Sequence, residues 1–109
     1  MEVRLNNGAV EVKIDSCGAE LRGFKDLETG REYMWKRDPE FWGKSSPVLF
    51  PFVGVLKDGK YCYNGKEYFI KTRHGFARDN EFELVKKEDT CAEFLFRSNE
   101  KTREVYPFD

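Results

Sequence analysis

Alternation, not helical period, governs this chain. Val10, Val12 and Ile14 alternate with Glu11 and Lys13, the period-2 pattern of a strand with one dry and one wet face. Ala19 to Phe24 alternates again, and no window sustains a 3.6-residue apolar repeat. Asn6-Asn7-Gly8 is a turn signal, so Val3 to Leu5 is expected to fold back as a hairpin partner. Asn64-Gly65 lies between Tyr61-Cys62-Tyr63 and Lys66 to Ile70. Both turn residues accept the positive φ of a type I′ turn, which makes this the best-marked hairpin in the chain. The expected class is mainly β.

Between these strands the pattern is punctuated. Glu28-Thr29-Gly30 closes a turn, and Glu32-Tyr33-Met34-Trp35 is expected to be a short strand. Asp38-Pro39 opens a segment to Gly43 that fits a single helical turn. Val48 to Gly54 is an apolar run broken by Pro51, whose missing N–H excludes a central strand. A buried, irregular, extended segment is expected there. Phe82, Leu84 and Cys91 to Phe96 read as strands around a polar turn at Lys87 to Thr90, and Ser98 to Arg103 is polar. Tyr106-Pro107-Phe108 resembles the entry into another buried strand. The expectation is therefore an edge that pairs with something, or a domain over 1–109 that is incomplete at its C-terminus.

Composition narrows function mostly by exclusion. Aromatics are 16% of residues, which favours strands because rings pack well on a pleated surface. Nineteen Lys+Arg against 20 Asp+Glu leave no basic excess for a nucleic-acid partner. No apolar run reaches the length of a membrane span, and no leader pattern opens the chain, so a cytoplasmic protein with no membrane partner is expected. Cys17, Cys62 and Cys91 match neither a zinc spacing nor a disulfide framework. They are expected to be buried or half-buried free thiols, with no metal site.

The one segment whose residue types suggest chemistry is Arg73-His74-Gly75-Phe76-Ala77-Arg78, which holds the only histidine. Imidazole is the side chain whose ordinary pKa lies in the physiological range. From local context alone the plainer reading is a loop histidine packed on Phe76 and bonded to a carbonyl. The sharper one is a general acid, or a donor to a substrate oxygen. Arg73 and Arg78 offer fixed forked donors to a hydroxyl-rich or anionic ligand, or form a solvated rim.

Five stretches in order then carry a family resemblance. They are Ile14-Asp15-Ser16-Cys17-Gly18-Ala19-Glu20-Leu21; Glu32 to Trp35 with Asp38-Pro39 and Trp42; Pro47 to Gly54; Tyr63 to Tyr68; and His74 to Arg78. Together they resemble the aldose 1-epimerase (galactose mutarotase) superfamily, in its galactose-mutarotase-related bacterial branch, over essentially all 109 residues. The resemblance implies an antiparallel β-sandwich, of which this chain is the N-terminal part, with a sugar cleft across one sheet. It implies cofactor-free interconversion of the α and β anomers of a hexose or hexose phosphate by acid–base ring opening. His74 matches the first of the family's two active-site histidines. Arg78, Arg73, Phe76 and Trp42 are the expected substrate contacts.

Two departures qualify that expectation. Val55 stands where many relatives carry arginine after Phe-Pro-x-x-Gly, which removes a donor to substrate hydroxyls. The second histidine, the substrate-binding aspartate and the glutamate base lie in the family's later part. The 109 residues by themselves are thus expected to be inactive. Two other functions fit the same residues: a non-catalytic carbohydrate-binding module, and a structural half-sandwich whose open edges self-associate or pair with another chain.

Overall fold

A computed structural model describes residues 1–109. Its strands are β1 (Glu2–Asn6), β2 (Val10–Asp15), β3 (Glu20–Asp26), β4 (Lys60–Tyr63), β5 (Lys66–Phe69), β6 (Glu83–Lys87) and β7 (Ala92–Leu95), followed by one helix, α1 (Glu100–Val105). All strand pairs are antiparallel and local in sequence: β1-β2-β3, β4-β5 and β6-β7. The two marked turns behave as their residues require. Asn64 and Gly65 take φ of 52° and 77°, and Asn7 Oδ1 accepts from the amides of Ala9 and Val10.

The three sheets are joined through loops. Cys17 bridges to Glu81, and the Ser16 hydroxyl donates to Glu81 at 2.7 Å. Gly18 N–H donates to the Asn80 carbonyl at 2.8 Å. Together these fasten the β2–β3 turn to the start of β6. Phe50 bridges to Gly75, fastening the irregular run after Pro47 to the segment after β5.

Several expectations need correction. Glu32 to Trp35 is not a strand: only a single bridge, Glu32 to Lys25, forms. Two backbone bonds, Tyr33 N–H to the Phe24 carbonyl and Asp26 N–H to the Arg31 carbonyl, flank that bridge, and the ladder stops there because the Glu32 carboxylate accepts from the amides of Phe24 and Met34. Val48 to Gly54 is irregular as expected but not buried, with Phe50 44% and Val53 72% exposed. The Tyr106–Phe108 tail is no strand; its rings join an aromatic cluster beside α1. Finally, the polar stretch after Ser98 contains α1, nucleated by a capping box in which Asn99 accepts from Thr102 N–H and Thr102 Oγ1 accepts from Asn99 N–H. All three cysteines are free, but only Cys17 and Cys91 are half-buried; Cys62, on the β4–β5 hairpin, is exposed, contrary to the expectation. No helix is long and apolar enough to cross a membrane.

Candidate functional site

Backbone hydrogen bonds to a neighbouring loop set the shape of the His74 loop. His74 and Gly75 both take positive φ, 64° and 72°, as does Gly54 at 81°. This geometry lets two loops face each other twice. His74 N–H donates to the Gly54 carbonyl at 2.7 Å, and Gly54 N–H donates to His74 Nδ1 at 2.7 Å. One residue on, the amides of Phe76 and Ala77 share the Phe50 carbonyl at 3.0 and 3.2 Å. Gly75 is required at the closest approach, since a Cβ there would run into Phe50 O and Pro51 Cδ.

The Gly54 bond decides the chemistry of the imidazole. A ring nitrogen that accepts an amide hydrogen carries no proton, so in this arrangement the ring is neutral with its hydrogen on Nε2. Nε2 has no partner within the chain and is not buried. His74 is therefore a half-buried residue with one N–H donor left unpaired within the chain.

Arg78 sits at the other end of the loop, in a 3-10 turn at Ala77–Asp79. Its side chain is 20% exposed. Its Nε is buried without a hydrogen-bond partner, with Asp79 Oδ2 3.5 Å away in poor alignment. The Arg78 carbonyl is packed on both sides. Lys44 Nζ donates to it at 3.3 Å, and Gly18 lies so close that a Cβ there would be 2.6 Å from the oxygen. Asn80 Nδ2 donates to the Phe76 carbonyl at 2.7 Å, fixing the turn from behind.

Lys44 reaches this corner because Glu20 anchors the residues that follow it. The Glu20 side chain is 1% exposed. One carboxylate oxygen accepts from Ser45 N–H at 2.6 Å and Ser46 N–H at 3.3 Å, the other from Arg22 Nε at 3.1 Å. Burial pushes this carboxyl up, but the Ser45 amide and the Arg22 guanidinium outweigh it and hold it below the usual glutamate range. Arg22 also pairs with Asp15. There too burial acts upward, while the Cys17 amide, Arg22 and the terminal ammonium bring the net shift down. Glu20 and Lys44 had no assigned role in the sequence, because neither belongs to a spacing pattern with His74.

The remaining expected contacts are distributed unevenly. Arg73 is exposed and makes no ion pair or side-chain hydrogen bond. The Phe76 ring lies among Phe50, Phe96 and Tyr106, with centroids 6.2, 6.3 and 6.2 Å away. Trp42 is 49% exposed and its carbonyl accepts from Trp35 Nε1 at 2.8 Å. Lys44, two residues on, bonds the Arg78 carbonyl. Val55 is 60% exposed beside Gly54. A separate hollow lined by Leu5, Val10, Val12 and Phe24 shares no residue with the loop. No group of three or more His, Cys, Asp or Glu could hold a metal ion. The structure thus groups His74 with Gly54, beside the Phe50 carbonyl that holds the next amides, and Arg78 with Asp79 and Lys44.

Comparison with known proteins places this geometry in context. The pattern of the family described as "Aldose 1-epimerase" matches residues 1–109. The plasmid-borne protein LacX of Lactococcus lactis subsp. lactis is 33% identical over 110 residues, spanning 97% of this chain and 36% of LacX. A galactose mutarotase related enzyme from Lactobacillus acidophilus superimposes with a TM-score of 0.95 at 44% identity, over 99% of this chain and 36% of that one. A galactose mutarotase-like protein from Lactobacillus casei gives a TM-score of 0.95 at 31% identity, with the same coverage. The chain therefore spans 36% of the length of the relatives it matches.

Proposed function

This chain belongs to the aldose 1-epimerase family, and from that membership we propose that it supplies the His74 side of a site that interconverts the α and β anomers of a hexose or hexose phosphate. Ring opening breaks the bond between C1 and the ring oxygen. A base removes the C1 hydroxyl proton, the C1–O electrons pass to the ring oxygen, and that oxygen takes up a proton. Rotation about the neighbouring bond and reclosure on the other face give the other anomer. No electrons enter or leave, so no redox cofactor is called for.

The observation that carries this reading is the Gly54 N–H bond to His74 Nδ1. It leaves Nε2–H as a fixed donor, which suits a ring oxygen that gains negative charge as the C–O bond breaks. A neutral imidazole donates a hydrogen bond readily but gives up that proton only by becoming an imidazolate. In this proposal His74 therefore stabilises the ring oxygen, while the transferred proton comes from a second acid. The Arg78 guanidinium is a supporting donor to a hydroxyl or phosphate oxygen. The second acid and the carboxylate base come from the part of the family's length that residues 1–109 do not span.

Polarimetry on fresh α-D-galactose and α-D-glucose tests this division of labour. The 109-residue chain alone is expected to leave the rate at that of buffer. A marked acceleration by the chain alone, lost in His74→Ala, would show that it needs no second acid or base.

A further inference from the structure

The loop that carries His74 leaves β5 with little to hold it. Ile70 is buried and its N–H donates to the Gly59 carbonyl at 3.0 Å, which anchors the end of β5. The next backbone bond along the chain comes at His74, whose N–H reaches Gly54. Lys71, Thr72 and Arg73 between them are exposed and make no backbone–backbone hydrogen bond. The turn from Thr72 to Gly75 lacks the usual closing bond, since the Gly75 amide donates to no carbonyl. His74 nevertheless takes a φ of 64°, a left-handed conformation uncommon outside glycine.

One side-chain bond closes that turn. Thr72 Oγ1 donates to the Gly75 carbonyl at 2.7 Å, the only hydrogen bond that Lys71, Thr72 or Arg73 forms. At the other end of the same peptide group, Phe76 N–H donates to the Phe50 carbonyl at 3.0 Å. A peptide group is planar, so bonds at both ends fix its orientation. The peptide before His74 is held likewise by its bond to Gly54. His74 and Gly75 lie between these two held planes, and the direction of the His74 Cα–Cβ bond follows from them. That direction brings Nδ1 to 2.7 Å from the Gly54 nitrogen. Gly75 is buried, so its carbonyl would lose its partner outright if the Thr72 hydroxyl were removed.

We propose that Thr72 is a positioning residue for His74: its hydroxyl holds the loop in the conformation that sets Nδ1 against the Gly54 amide and leaves Nε2–H free. As a contribution to catalysis this rests on the donor role of His74 proposed above. As a statement about the bond between Gly54 and His74 it stands without any sugar. The role calls for a hydroxyl at this position, not for bulk. A β-branched side chain also has few rotamers to lose, so threonine presents that hydroxyl at small entropic cost.

NMR of the isotope-labelled chain tests it through the scalar coupling between the Gly54 amide nitrogen and His74 Nδ1, which exists only across an N–H···N hydrogen bond. Thr72→Val keeps the shape of the side chain and removes the hydroxyl, Thr72→Ala removes both, and Thr72→Ser keeps the hydroxyl. Wild type and Thr72→Ser are expected to show the coupling. In Thr72→Val and Thr72→Ala the coupling should drop, and hydrogen exchange at the Gly54 amide should quicken by about fivefold or more, the scale of one lost hydrogen bond. Exchange in β2 should stay unchanged in every variant, which separates a local effect from a general loss of stability. A full coupling in Thr72→Val, its loss in Thr72→Ser, its absence from wild type, or an equal rise in exchange across β2 would each overturn the proposal. None of these readouts involves sugar, so their failure is distinguishable from failure of the epimerase proposal.

Discussion

Gly54 and His74 hold each other twice: the His74 amide donates to the Gly54 carbonyl, and the Gly54 amide donates to His74 Nδ1, both at 2.7 Å. Twenty residues separate them, and the contact between their loops sets both the position and the tautomer of the only imidazole. The consequence is visible by NMR. Long-range proton–nitrogen correlation spectra of the chain at neutral pH should show the hydrogen on Nε2. A hydrogen on Nδ1 at neutral pH would mean that the bond does not form in solution.

Gly75 makes the contact between the two loops sterically possible. Gly75→Ala adds a carbon against Phe50 O and Pro51 Cδ at a φ of 72°, and should lower stability by about 2–4 kcal/mol. Gly30→Ala is the matched control, since Gly30 has a similar φ of 74° but open space around it. Its expected loss is about 1 kcal/mol. Urea midpoints followed by circular dichroism measure both; equal losses would show that the Phe50–Gly75 approach is not tight.

The Glu20 carboxylate anchors Ser45 and Ser46, and through them Lys44 at the Arg78 corner. Glu20→Gln should lower stability at neutral pH by about 1–3 kcal/mol, because Arg22 and two amides lose a charged acceptor. The native carboxyl titrates below its ordinary value near 4.5. Its stabilisation is thus complete above that value and is lost as pH falls through the lower native one. Asp15 adds to the same acid loss, starting from about 3.8. The gap between wild type and Glu20→Gln should therefore narrow with acidification. A gap independent of pH through the acid range would contradict this role.

The local features of the fold were legible and the coupled ones were not. The β1–β2 and β4–β5 hairpins follow from Asn-Gly turns and alternation within a few residues, so neighbouring sequence contains all the forces that shape them. Glu32 to Trp35 looks like a strand by residue type, yet after two backbone bonds the Glu32 carboxylate takes the Phe24 amide that the next ladder bond would use. The six residues of α1 are too few for a visible apolar repeat; the one readable signal was Asn99 followed three residues later by Thr102. At the site, the residue types of His74 and Arg78 stood out at once. The Gly54 bond, the Glu20 anchor and the Lys44 contact join residues 20 or more positions apart, and no local pattern encodes them. The exposure of Val48 to Val53 was missed for the opposite reason, because an apolar run predicts burial without naming what covers it.

The most direct test of the epimerase proposal is polarimetry on fresh α-D-galactose with the chimera that joins residues 1–109 to the remainder of the Lactobacillus acidophilus protein. The account predicts that the chimera accelerates mutarotation while the 109-residue chain alone does not. It further predicts that His74→Ala lowers the chimera's kcat/KM by about 100-fold or more, the scale of losing an aligned donor at the reacting oxygen. A chimera whose rate is unchanged by His74→Ala would contradict it.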